Sequence, residues 1–325
     1  MMSGDRPWIS GPPRGEASGG PIVVLESTVI AQGLPWPENL EMAAAMEGAV
    51  LAAGARPATV GVLDGRARIG LDGVDLERLA RPAGDDPRAE GKDREGLDGR
   101  RIRKANRRDL SAVLAAGGSA ATTVSATLWL ARRYGLDPCV MATGGLGGVH
   151  RGAGISFDVS TDLDELARAD GCLVVCSGFK SILDIPATLE AMETRGIAIV
   201  GYRTDELPAF TTASSGLPLE HRVESPEQAA RIVWMHRRMC VPGAVVLVQP
   251  VPEEDAIDRE EMEQVLTEAL AEATRAGITG KAITPFLLGR ISQGTAGKSL
   301  RANMSLLVSN ARLAGEIAVA LSAGS

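Results

Sequence analysis

CLVVCSGFKS, residues 172–181, is an unbroken apolar run that stops abruptly on polar residues and a lysine. Its first five residues show no alternation of apolar and polar positions. A strand with one wet face alternates; a strand covered on both faces, as in a parallel sheet under helices, does not. The same signature recurs on either side, in PIVVL (21–25), ATVGVL (58–63), CVMA (139–142), IAIVGY (197–202) and AVVLV (244–248). Helical stretches separate these runs. EMAAAMEGAVLAAG (41–54) follows Pro37 and is stopped by Gly54, TTVSATLWLARRYG (122–135) is a second, and Ser225-Pro226 opens a third. The last third is helical, with REEMEQVLTEALAEATRAG (259–277) and SLRANMSLLVSNARLAGEIAVALS (299–322) as its longest segments. This alternation predicts an α/β fold, layered α/β/α around a mostly parallel central sheet in a single domain. Asp64-Gly65 predicts a hairpin turn into RARIG.

The chain has 325 residues, enough for a sizeable core. Lys and Arg number 34 against 41 Asp and Glu, a net charge of -7, which excludes a general attraction to nucleic acid. A small phosphorylated ligand needs only one locally basic pocket. Aromatic residues make up 3%, too few to furnish base-stacking platforms. Cys139, Cys172, Cys176 and Cys240 read as thiols of a reducing compartment, with no disulfide scaffold. No uncharged apolar run reaches the roughly 18 residues of a membrane span. Residues 1–20, rich in Gly, Pro and charge, lack the apolar stretch of a signal peptide and read as a disordered arm. A cytoplasmic protein with neither nucleic acid nor membrane as partner is expected. RPAGDDPRAEGKDREGLDGRR (81–101) has almost no apolar residue and reads as a surface insertion, about 84–99, within one folded domain, 21–325.

In open α/β sheets, ligands bind beyond the carboxyl ends of the strands. Those ends deliver Glu26, Ser27 and Thr28, then Thr143 and the run TGGLGGVHRG through His150, then Ser177 and Lys180. Lys180 follows the most apolar strand and is expected at a helix entry, where the dipole and burial both disfavour a cation. That favours a nucleophilic amine. A lysine reaching solvent or a phosphate is the plain alternative. Glu26 is either a carboxylate paired with a cation or a partly buried general acid. The glycine run either presents bare amides to an anion or a flat base, or is a tight turn between packed elements. His150 and Arg151 at its end favour an anion. Asp158 is a lone carboxylate without the His/Cys/Asp cluster that zinc needs, and suits a weakly held, largely hydrated Mg²⁺ or Mn²⁺. Lys104, in KANRRDL, is a phosphate contact or a solvated basic turn. His221 and His236 read as structural. Neither a dinucleotide fingerprint nor a P-loop is present.

VLESTVIAQGLPWPEN, KANRRDL, GGSAATTVSATLWLA, ATGGLGGVHRGA, FDVSTDL, GFKSILDIPATLE, GYRTDELPAF and TPFLLGRI, in that order, resemble the pseudouridine-5'-phosphate glycosidase family, also called indigoidine synthase A-like. The likeness spans about residues 21 to 322. It implies a homotrimeric enzyme that reversibly cleaves a phosphorylated C-nucleoside, pseudouridine 5'-phosphate, to uracil and ribose 5-phosphate with Mn²⁺ bound. Carried over block by block, the proton donor falls on Glu26, the covalent lysine on Lys180 and the metal-associated aspartate on Asp158. Substrate contacts fall on Lys104, Val124, Ser160, Thr161 and Asp162, with Thr143, His150 and Asn303 lining the same pocket. A carbon–carbon glycosidic bond leaves a poor carbanion, and an iminium between Lys180 and C1' of the opened ribose offers a route around it. A Schiff-base phosphosugar aldolase or isomerase would use the same lysine without a uracil pocket. A non-catalytic nucleotide-binding regulator would need neither Glu26 nor Lys180.

Overall fold

The apolar runs form the middle of one sheet. The computed structural model describes residues 7–12, 19–81, 102–278 and 283–324. Its strands are β1 (Ile9–Ser10), β2 (Ile22–Leu25), β3 (Arg56–Leu63), β4 (Arg66–Ile69), β5 (Arg103–Ala105), β6 (Ala120–Thr122), β7 (Val140–Ala142), β8 (Leu173–Cys176), β9 (Ala198–Tyr202), β10 (Arg222–Val223) and β11 (Val245–Val248). The order across the sheet is β1-β4-β3-β2-β7-β8-β11-β9-β10, with β6 pairing β3 and β5 pairing β6. Among the described residues, only the pairings of β3 with β4 and with β6 are antiparallel. The β3–β4 pair is the hairpin expected at Asp64-Gly65.

The helices are α1 (Glu38–Ala52), α2 (Gly73–Ala80), α3 (Leu110–Ala115), α4 (Val124–Tyr134), α5 (Ala153–Ser156), α6 (Thr161–Leu166), α7 (Ile185–Thr194), α8 (Pro226–Arg238), α9 (Arg259–Arg275), α10 (Ile283–Gly294) and α11 (Lys298–Ala323). Two groups of helices pack together: α11 touches both α1 and α8, and α4 touches α6. This is the mixed, mostly parallel α/β arrangement that the unbroken apolar runs predict. Val23, Val24, Val174, Val175, Val246 and Val248 are all fully buried. Each such burial stabilises by about 1.5–3 kcal/mol, so the central strands carry the core. By length and composition alone α11 is apolar enough to cross a membrane. Its apolar residues are instead spent on β2, β7, β8, α1 and α8.

Several local expectations change. Part of the stretch read as a disordered arm is built into the fold: Ile9–Ser10 pair with β4, Trp8 stacks on Trp129, and the Tyr134 hydroxyl donates to the Pro12 carbonyl at 2.6 Å. Two aromatic contacts and a ladder outweigh the Gly/Pro-rich composition there. The insertion at about 84–99 lies outside the described residues. Thr122, read as the start of a helix, ends β6, and α4 begins at Val124. Lys104 stands on β5 and not in a turn. α6 is capped by Ser160, whose Oγ accepts from the Asp162 amide. Lys180 is not at a helix entry, because α7 starts at Ile185 under an Asp184 cap. Helix dipoles act within about one turn, so the dipole is no part of its environment.

Candidate active site

Parallel register decides which polar residues meet. Leu25 lies opposite Ala142, and Ala142 opposite Val175, so β2, β7 and β8 end almost level. Glu26 and Thr143 therefore leave adjacent strands side by side. The Thr143 hydroxyl donates to Glu26 Oε1 at 3.1 Å, and the Thr28 hydroxyl donates to Oε2. Glu26 is only 6% exposed, yet its carboxyl group borders a cavity of about 1030 Å³ above the strand ends. Thr28 opens a single π-helical turn, Val29–Gly33, that wraps one side of this space.

Lys104, Lys180 and Asn303 stand on the wall of the same cavity. The loop after β8 aims Lys180. On one side Phe179 is fully buried; on the other the Ser181 hydroxyl donates to the Ala209 carbonyl at 3.0 Å. The Lys180 amide donates to Leu146 at 3.2 Å. Gly178 has φ +76°, and a Cβ there would lie 2.0 Å from the Pro208 carbonyl oxygen, so only glycine lets the loop pass. The rest of the wall is largely aliphatic, with Leu34, Leu288, Ile291 and Leu307 among its residues.

The glycine run joins this wall to a second group of polar residues. Gly144 and Gly145 border the cavity. The amides of Leu146, Gly147, Val149 and His150 are spent on Gly178, Asp162, Thr188 and Asp158. The run is thus chiefly a tight turn between packed elements, the plainer of its two readings. Asp162 accepts from the amides of Gly147 at 3.1 Å and Ser125 at 3.0 Å, so both its oxygens hold backbone. Thr161 Oγ1 meets Ser125 Oγ at 3.1 Å, and Val124 is buried beside them at the start of α4. Val124, Ser160, Thr161 and Asp162 therefore gather around Gly147 and do not line the large cavity. His150 connects the two groups. Burial pushes its imidazole below the ordinary value, Asp158 pulls it up, and Lys180 and Lys104 push it down again. The His150 ring thus feels the charges of Asp158, Lys180 and Lys104 together.

The chain matches, over residues 14–320, the family model described as indigoidine synthase A like protein. It belongs to that family. Among its relatives, the pseudouridine-5'-phosphate glycosidase of Sorangium cellulosum is 46% identical over 94% of this chain and 90% of that one. The Streptomyces griseus glycosidase is 48% identical over 97% and 92%. Two solved structures of the indigoidine synthase A-like fold superpose with TM-scores of 0.83 at 36% identity. One is the prealnumycin C-glycosynthase AlnA in complex with ribulose 5-phosphate, covering 99% of both chains; the other is an indigoidine synthase A-like protein from Thermotoga maritima, covering 98% of this chain and 99% of that one. The resemblance drawn from the eight sequence blocks is therefore correct.

Residues missed in the sequence include Phe210 and Thr211, both on the cavity wall. Phe210 closes the block GYRTDELPAF (201–210), which holds no residue at a strand end of the expected site. Its signal is strain: Phe210 holds φ +64°, costly for a bulky side chain. As for a metal, the described residues contain no group of three or more His, Cys, Asp or Glu side chains able to hold one. Asp158 supplies a single hard oxygen, which fits an ion keeping most of its waters and no tighter kind.

Proposed function

We infer that the protein cleaves pseudouridine 5'-phosphate to uracil and ribose 5-phosphate, and that Lys180 carries the reaction as a Schiff base. The observation that carries this reading is the meeting of Glu26 and Lys180 on one cavity wall with Lys104, in a chain whose relatives are named for that activity. The ribulose 5-phosphate in AlnA supports a phosphosugar in this cavity. The Lys180 amine attacks C1' as the C1'–O4' bond breaks, and Glu26 protonates the ring oxygen while the amine gives up a proton. That second proton goes to C5 of uracil as the C1'–C5 bond breaks, and water hydrolyses the remaining iminium to free ribose 5-phosphate and the amine. Lys104 would take the phosphate. The Asp158 carboxylate would hold Mn²⁺ or Mg²⁺ largely through water, and the ion would supply positive charge near the phosphosugar; exhaustive chelation with and without Mn²⁺ add-back reads this. A homotrimer is part of the same reading. Ile155 at 92% and Phe157 at 84% exposure are apolar side chains that assembly would cover. Four free thiols fit a cytoplasmic protein.

The deciding experiment is borohydride reduction in the presence of ribose 5-phosphate, followed by peptide mapping. The adduct is expected on Lys180 and absent from Lys180→Ala. Lys180→Arg should be equally inactive, since a guanidinium has no free amine at any accessible pH. An adduct on another lysine, or appreciable uracil release by Lys180→Ala, would refute the mechanism. Imine formation without uracil release would favour the aldolase or isomerase.

A further inference from the structure

Asn310 stands in the middle of α11 and is completely buried. Asparagine is a poor residue for a helix interior, because its side chain competes for backbone hydrogen bonds. Here every polar atom of the side chain is engaged elsewhere. Its Nδ2 donates to the Thr143 carbonyl at 2.8 Å and to the Gly144 carbonyl at 3.4 Å, and lies 3.2 Å from Ser177 Oγ. Its Oδ1 accepts from Gln249 Nε2 at 2.8 Å, with Ser177 Oγ 3.4 Å away. Thr143, Ser177 and Gln249 are the residues immediately after β7, β8 and β11, three neighbouring strands. One side chain therefore ties together the ends of three strands beneath the cavity.

Two of these ties lead straight to the reacting groups. Thr143 donates its hydroxyl to Glu26. Ser177 begins the loop that carries Lys180; its amide donates to Gly144 at 2.8 Å, and its carbonyl accepts from the strained Phe210 at 2.8 Å. We propose that Asn310 is a positioning residue, which touches no substrate but sets the placement of Glu26 relative to Lys180 by holding Thr143 and Ser177 at a fixed separation. The kinetic part of this rests on the function inferred above. A buried polar network that is fully satisfied rigidifies its surroundings, and loss of its central member leaves several groups unpaired at once.

The test uses Asn310→Leu, Thr143→Val and the double variant in the full chain. For Asn310→Leu, kcat for uracil release should fall about 100-fold, the scale of a 1 Å misplacement, while KM moves less than about threefold. The double variant should be about as slow as the slower single variant, since both act through one contact. A folded Asn310→Leu with kcat within about twofold of the unmodified protein, or fully multiplicative losses in the double variant, overturns the proposal. If Asn310→Leu does not fold, Gln249→Leu removes one partner and leaves Asn310 in place; it should lower kcat in the same direction, and unchanged kcat overturns the proposal. Deuterium uptake by residues 142–146 and 176–180 should also rise in the variant. That readout needs no turnover. Equal uptake defeats the Asn310 proposal, whereas an unmodified protein that releases no uracil defeats only the inferred function.

Discussion

Lys104 occupies β5 at the edge of the cavity, in a chain of net charge -7. A lysine donates to phosphate as a point charge, and such charge-assisted contacts are about twice as strong as neutral ones. Lys104→Ala is expected to raise KM for the phosphorylated substrate about tenfold or more, equivalent to about 1.4 kcal/mol, with a smaller change in kcat. Steady-state uracil release measures this, and the same substitution should leave KM for unphosphorylated pseudouridine unchanged. Equal losses on both substrates would remove Lys104 from the phosphate site. At this scale the sequence was informative about identity and poor about surroundings. Glu26, Lys104 and Lys180 were legible because each stands next to a strand end or inside a distinctive block. The hydroxyl of Thr143 on Glu26 was not, since a contact between residues 117 apart leaves no local mark.

The run from Thr143 to His150 works as an element whose glycines make room for side chains arriving from other segments. A Cβ on Gly147 would lie 2.4 Å from Ser160 Oγ and 2.9 Å from Asp162 Oδ2. On Gly154 it would meet nothing within 4 Å. Gly147→Ala should therefore destabilise by about 1–3 kcal/mol, the usual cost of overpacking, and lower activity because α6 must shift. Gly154→Ala should change neither. Urea unfolding midpoints with parallel activity assays separate the two, and an unperturbed Gly147→Ala would mean that α6 yields freely. The strands β2, β7, β8 and β11 were all readable as unbroken apolar runs. β5 and β6 were not, because three-residue strands such as RKA and AAT lack a periodic pattern long enough to count. The helix entry expected at Lys180 failed for a related reason: SGFKSILD contains no cap until Asp184, and the loop it forms is fixed by distant anchors at Ala209 and Leu146.

Across the whole molecule, the arrangement of layers followed from composition and alternation, whereas the pairing order of the sheet did not. Nothing in the order of the runs announces that β11 inserts between β8 and β9. Residues 84–98 are almost entirely hydrophilic, and no block of the family likeness includes them. Loop-closure entropy depends only weakly on length, about 0.6 kcal/mol per doubling. Deleting them is expected to leave uracil release and the trimeric sedimentation mass of the inferred enzyme unchanged. Loss of either would make the segment part of an interface or of the cavity.

The packing of α11 against β2, β7 and β8 has a consequence for the timing of synthesis. Glu26 emerges early and Lys180 near the middle, but Asn303 and Asn310 come from the final helix. At roughly 5–20 residues per second, tens of seconds pass between the first of these groups and the last. From the emergence of Lys180 until that of α11, the growing chain holds Glu26 and Lys180 without the part of the cavity wall that Ser299, Leu300, Asn303 and Leu307 supply. A chain that stops before Lys298 would therefore lack that wall and leave uncovered the faces of β2, β7 and β8 against which α11 packs.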